Sequence, residues 1–189
     1  MSARFAPGVL VIALGAILSA CSAPPEKERD QADAAISAAR VADAPTYAPK
    51  ELESALASLK AYDAAVALRD YRNALSHAIG ARDSAYEAAK LAAERKAAAR
   101  RDAERLIVDL EGLVIVARSR IASGPPLSPQ AVTRTRATVR QANSLLQEAR
   151  SRLEKQDFKG VVTLLQPAVQ ALKKDVGPTA GKRLRESFV

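Results

Sequence analysis

The sequence predicts an all-α protein, elongated, with two antiparallel helical hairpins of tetratricopeptide-like form joined by a long central helix. Three observations carry this expectation. Alanine, the strongest helix former, supplies about a fifth of the chain. Apolar residues recur at heptad spacing after two proline starts, Pro49 and Pro129, where proline is favoured as a first helical residue. Two similar corners, Arg69-Asp70-Tyr71 and Gln156-Asp157-Phe158, punctuate the two halves. A length of 189 residues holds one ordinary domain or two small helical units and excludes a large multi-part enzyme. Aromatics are only 4% and tryptophan is absent, so little large apolar surface exists to build a core.

Residues 1–20 read as a lipoprotein signal peptide. Arg4 precedes an apolar run from Phe5 to Ile17, which is short of the roughly 20 residues a membrane span needs. Leu18-Ser19-Ala20-Cys21 matches the bacterial lipobox, so Cys21 is the expected lipidation site. Each buried methylene contributes about 0.8 kcal/mol, and two or three acyl chains make such an anchor effectively permanent. Lipidation uses the one cysteine and leaves none for a disulfide. In lipoproteins of Gram-negative type the absence of Asp after the Cys implies export to the outer membrane, so that resemblance, with Ser22 here, implies a location at the outer membrane, facing the periplasm. Residues 21–30 then read as a flexible tether, polar and proline-containing.

The first hairpin is expected over 31–105. A helix from Gln31 to Asp43 aligns Ala35, Ile36 and Ala39, and Ala44-Pro45-Thr46-Tyr47 breaks it. Pro49 starts a helix carrying Leu52, Ala55, Leu59, Tyr62 and Val66. After the corner, a third helix carries Ala74, Leu75, Ala78, Ile79, Ala85, Tyr86 and Ala89. The stretch from Lys90 to Arg105 has no large apolar residue after Leu91 and reads as a good isolated helix but a poor core element.

The second hairpin, over 106–176, repeats the plan. Leu106 to Val116 is the most apolar stretch after the signal peptide and is expected to pack on the helices that follow. A continuous helix from Arg72 to about Ile121 would be roughly 75 Å long, and a break near Gly112 is the alternative. Ser128-Pro129 opens a helix with Val132, Thr135, Val139, Ala142, Leu146, Ala149 and Leu153 on one stripe. A last helix carries Val161, Val162, Leu164, Leu165, Val169 and Leu172. Gly80 and Pro167 stand at equal distances past the two corners, as expected of an internal duplication. Residues 177–189 read as a basic tail without fixed structure.

The run from Ala32 to Ala93 resembles the domain of unknown function 4398 of bacterial envelope lipoproteins. The features that carry the likeness are the Ala-rich helix, Tyr47-Ala48-Pro49-x-Glu51-Leu52, the Asp70-Tyr71 corner and the second Ala-rich helix. The resemblance implies an envelope location and a helical hairpin, and it supplies no catalytic residues. A second hairpin follows here where relatives of fused architecture carry a peptidoglycan-binding module.

No phosphate loop, nucleophile elbow or zinc-protease motif occurs, and His77 has no second His with which to hold a metal. Asp63, Asp70, Asp83 and Glu87 lie near Arg69, Arg72 and Arg82 and read as solvated helix faces. Tyr47, Tyr62, Tyr71 and Tyr86 read as hairpin packing. No catalytic residue, metal or cofactor is therefore expected. Net charge is +8, which by itself would suggest nucleic acid; the lipobox argues against that partner. Residues 26–129 hold 16 Lys+Arg and 16 Asp+Glu, while 130–189 hold 12 and 5. The candidates for an anionic partner are Arg134, Arg136, Arg140, Arg150, Arg152, Lys173 and Lys174. The sequence thus points to a non-enzymatic envelope lipoprotein, a periplasmic spacer or interaction scaffold whose partner is another envelope protein or peptidoglycan. The alternative is a binder of an anionic envelope polymer or lipid head group, such as peptidoglycan or lipopolysaccharide, with no small-molecule substrate.

Overall fold

A computed structural model describes residues 23–123 and 127–176; Cys21 and the tail from 177 lie outside the described residues. Among the described residues the chain is all-α, with no strand. The helices are α1 (Glu26–Val41), α2 (Ala44–Tyr47), α3 (Pro49–Ala67), α4 (Tyr71–Ser123), α5 (Pro129–Glu154) and α6 (Phe158–Val176). None of them is long and apolar enough to cross a membrane. The chain forms two compact units that divide between Ala93 and Glu94, twelve residues before the boundary expected at 105/106. The long helix α4 contributes residues 71–93 to unit 1 and 94–123 to unit 2, and it runs through Gly112 without a break.

In unit 1, α1 and α2 pack on α3, and α3 packs on the first part of α4 through Tyr62, Ala65, Ala74 and Ala78. The first helix begins at Glu26, five residues before the expected Gln31, so the second half of the expected tether is helix. Pro25 precedes its first turn, and Glu26 and Glu28 meet the positive end of the helix dipole. Arg29 then reaches Asp33 one turn on, at 3.7 Å, and Asp63 of α3, at 3.6 Å, which ties this turn to its neighbour. The Ala44–Tyr47 break is itself a short helix, entered through Asp43 in the left-handed region at φ 63°.

Alanine dominates the core of unit 1. Ala32, Ala35 and Ala39 of α1, Ala55 of α3, and Ala74, Ala78, Ala81, Ala85 and Ala88 of α4 are buried. Leu75, Ile79 and Tyr86, expected on the packed stripe, are exposed instead, with Tyr86 56% accessible. Each lies one residue beyond a buried alanine, and the hydrophobic period cannot separate the two when both neighbours are apolar.

In unit 2, the second part of α4 packs with α5 and α6 around Leu110, Leu113, Val139, Leu146, Val161, Leu165, Val169 and Leu172. Ala103 is fully buried in this core and Ala99 packs against it, so the stretch expected to be a poor core element supplies the start of unit 2. Val108 and Ile115, from the most apolar run, are 56% and 66% exposed.

The two corners agree bond for bond. Arg69 and Gln156 both take the left-handed conformation, at φ 58° and 60°. The N–H of Asp70 donates to the carbonyl of Ala65, and that of Asp157 to Arg152; the N–H of Arg69 donates to Val66, and that of Gln156 to Leu153. This is the double bond pattern that closes a helix C-terminus. Each Asp then caps the next helix: Asp70 accepts from the N–H of Asn73 at 3.1 Å, and Asp157 from Gly160 at 2.9 Å. The spacing is 87 residues throughout, and it extends into the core. The buried residues of α5, Thr135, Val139, Ala142, Leu146 and Ala149, match Ala48, Leu52, Ala55, Leu59 and Tyr62. Of these five, four are buried and Leu59 is half-buried. Such agreement in backbone conformation, capping and burial supports an internal duplication of the hairpin.

Candidate anion-binding groove

The basic candidates divide according to whether an acid already holds them. Arg150 pairs with Glu111 of α4 at 2.6 Å, and Arg152 pairs with Glu148 at 2.6 Å and Asp157 at 3.5 Å. These two belong to the internal bonding of unit 2. Arg134, Arg136, Arg140, Lys173 and Lys174 are exposed and make no ion pair among the described residues. Lys173 and Lys174 occupy the last turn of α6, where cations complement the helix dipole.

Arg136 and Arg140 come together with a residue that charge counting overlooked. A groove of about 280 Å³ between the end of α4 and the first half of α5 is lined by Arg118, Ile121, Arg136, Val139 and Arg140. Among the described residues no carboxylate lines it. Arg136 and Arg140 stand four apart on one helix face, and like charges so placed repel by about 0.2–0.5 kcal/mol. Arg118 is held in place by a relay. Asn143 Nδ2 donates to the Val139 carbonyl at 2.6 Å, which turns its Oδ1 toward Arg118, whose Nη2 donates to it at 3.3 Å. The neighbouring Arg120 is used structurally, donating to the carbonyl of Val176 at the end of α6.

Arg118 lies in the stretch 26–129, whose total charge is zero, and averaging concealed it. A finer reading of the chain would have found it. Between Glu111 and Glu148 there are five arginines and no acidic residue, and the turn from α4 to α5 folds that stretch back on itself.

Unit 1 has a cavity of the opposite character, about 410 Å³, lined by Pro24, Glu26, Arg29, Asp30, Tyr62, Asp63 and Val66. Its three carboxylates face one arginine. Burial pushes the Tyr62 phenol above its ordinary value; Glu26, Asp63 and Asp30 push the same way, and Arg29 opposes them. Among the described residues no group of three His, Cys, Asp or Glu is placed to hold a metal ion. His77 is half-buried on α4.

Comparison with known proteins brings no match, whether to a protein-family model, to a curated protein or to a solved structure.

Proposed function

We propose that the protein is a non-enzymatic lipoprotein of the outer membrane, anchored through Cys21 and facing the periplasm, whose helical units act as an interaction scaffold for another envelope component. The lipobox Leu18-Ser19-Ala20-Cys21 and the resemblance of residues 32–93 to an envelope lipoprotein domain support the location. Replacing Cys21 by Ser is expected to move the chain from the membrane fraction to the soluble fraction or leave it uncleaved. Continued lipidation of that variant, read by metabolic labelling with a fatty acid, would overturn the anchor.

Within that reading, one observation favours contact with an anionic component: the Arg118, Arg136 and Arg140 groove, which among the described residues combines three cations without an ion pair and no lining acid. Arginine costs conformational freedom to hold and repels its like, so a cluster of this kind is stabilised by an anion that bridges it. Capture of purified cell-wall or outer-membrane material is expected to fall steeply as salt rises, because exposed charges are screened over about 8 Å at physiological ionic strength. Capture that is unchanged between low and high salt would leave the scaffold without its electrostatic partner.

A further inference from the structure

We propose that the Arg118, Arg136 and Arg140 groove takes a phosphate monoester carried on an apolar group, the chemistry of a phosphorylated lipid head group. The inference rests on the reading of unit 2 as an anion-binding unit and names the chemical class of its ligand.

Charge favours phosphate over carboxylate. A carboxylate brings one negative charge to three guanidinium groups, whereas a phosphate monoester brings about −1.5 to −2 and three acceptor oxygens. Guanidinium forks bind such oxygens in pairs. Size admits a single head group, since about 280 Å³ is just below the usual range of small-molecule sites, roughly 300–1,000 Å³. The walls favour an apolar carrier. Ile121 and Val139 line the groove beside the arginines, and a bare polyanion gains nothing from them.

The duplication supplies an internal comparison. Counting back 87 positions, Arg136 corresponds to Pro49, Arg140 to Glu53, and the orienting Asn143 to Leu56. The shared hairpin therefore does not require these side chains. The groove is particular to unit 2, as expected of a site added to a common frame.

The test titrates the full-length chain in detergent with three probes, phenyl phosphate, inorganic phosphate and benzoate, by calorimetry and by the NMR signals of the arginine Nε–H groups. Phenyl phosphate is expected to bind at least about tenfold more tightly than benzoate and severalfold more tightly than inorganic phosphate, shifting the Arg118, Arg136 and Arg140 signals. The pair Arg136→Ala and Arg140→Ala is expected to weaken phenyl phosphate about tenfold or more. The pair Lys173→Ala and Lys174→Ala is expected to change it less than about twofold, and Asn143→Leu to weaken it through Arg118. Equal binding of benzoate and phenyl phosphate would overturn the phosphate assignment. Inorganic phosphate bound as tightly as phenyl phosphate would overturn the apolar carrier. A loss on removing the two lysines as large as that on removing the two arginines would overturn the groove. Shifts of the three arginine signals in the unmutated chain decide the case even where a variant fails to fold. If the arginine variant loses phenyl phosphate but keeps salt-sensitive capture of envelope material, the groove is overturned as the envelope contact while the scaffold reading stands.

Discussion

At position 78 the α3–α4 corner buries an alanine, and at the matching position 165 the α5–α6 corner buries a leucine. The same contrast holds at Ala74 against Val161 and Ala85 against Leu172. Two hairpins with the same turn, the same caps and the same burial register have cores of different depth. Alanine buries little area but loses no side-chain entropy and lets helices approach closely, whereas each further buried carbon of a leucine contributes about 0.8 kcal/mol. The corner geometry is thus independent of what fills the core behind it. The cavities differ in the same way, with an acidic one beside Tyr62 in unit 1 and a basic one beside Val139 in unit 2.

The largest effect that would test this contrast comes from exchanging the two residues. Leu165→Ala leaves a cavity in a fully enclosed site and is expected to cost unit 2 about 2–5 kcal/mol. Ala78→Leu forces three carbons into a closed helix contact and is expected to cost unit 1 about 1–3 kcal/mol. Native-state hydrogen exchange reads the two units separately, and each loss should stay within its own unit. Should Ala78→Leu stabilise unit 1 instead, the alanine core would be underfilled and the contrast in packing would disappear.

Next in size are the caps. Asp70→Ala and Asp157→Ala each remove an acceptor from a helix N-terminus, at an expected cost of about 1 kcal/mol by chemical denaturation. The loss at Asp70 should be the larger, because Asp70 also accepts from Asn73 Nδ2 at 2.6 Å, while Gly160 at the matching position has no side chain and the second partner of Asp157 is Arg152, a solvent-exposed ion pair at 3.5 Å that contributes little. A Cβ at Gly160 would in fact fall 1.9 Å from Asp157 Oδ2, so the second cap works only if the carboxylate moves or the residue is glycine. Smaller still, and opposite in sign, are Arg69→Gly and Gln156→Gly. Both residues occupy left-handed backbone that costs an L-residue about 1 kcal/mol. Each change is expected to raise stability by about 0.5–1 kcal/mol, equally in the two units. Unequal gains would show that the corners differ in strain despite their matching bonds.

Proline starts, a serine cap and polar corners are written in residue types that act locally, so the helix starts at Pro49 and Pro129 and both turns were legible in the sequence. The stripe of α5 was legible because its buried and exposed residues differ in polarity. The stripe of α4 was legible only in part: Ala74, Ala78 and Ala85 are buried as expected, but Leu75, Ile79 and Tyr86 beside them are not, because each pair is apolar and only close helix packing decides that the smaller residue goes inside. The start of α1 was obscured by charged residues that read as tether, although Glu26, Glu28 and Arg29 suit a first turn that ends against Asp63. Of the site, Arg136 and Arg140 were visible as part of a basic excess. Arg118 was hidden in the balanced charge of 26–129; the acid-free run between Glu111 and Glu148 marks it as one of five arginines, and only the folding back of α4 on α5 selects it as the one beside Arg136 and Arg140.

The smallest predicted effect appears only in alkali, and it separates the units by a single residue. Tyr62 is buried in unit 1, whereas the matching residue of unit 2 is Ala149. Burial raises the Tyr62 phenol above 10.0, because the charged phenolate loses its water, and three neighbouring carboxylates discourage it further. A group whose folded pKa is raised contributes stability that is intact below its unfolded value, about 10, and lost as pH rises through the folded value. Melting of unit 1 should therefore fall as pH climbs above about 10. Tyr62→Phe should remove this slope while leaving the fold near neutral pH. Persistence of the slope in Tyr62→Phe would assign the alkaline loss to other groups. Its appearance with equal steepness in unit 2 would remove the distinction between the two units at this position.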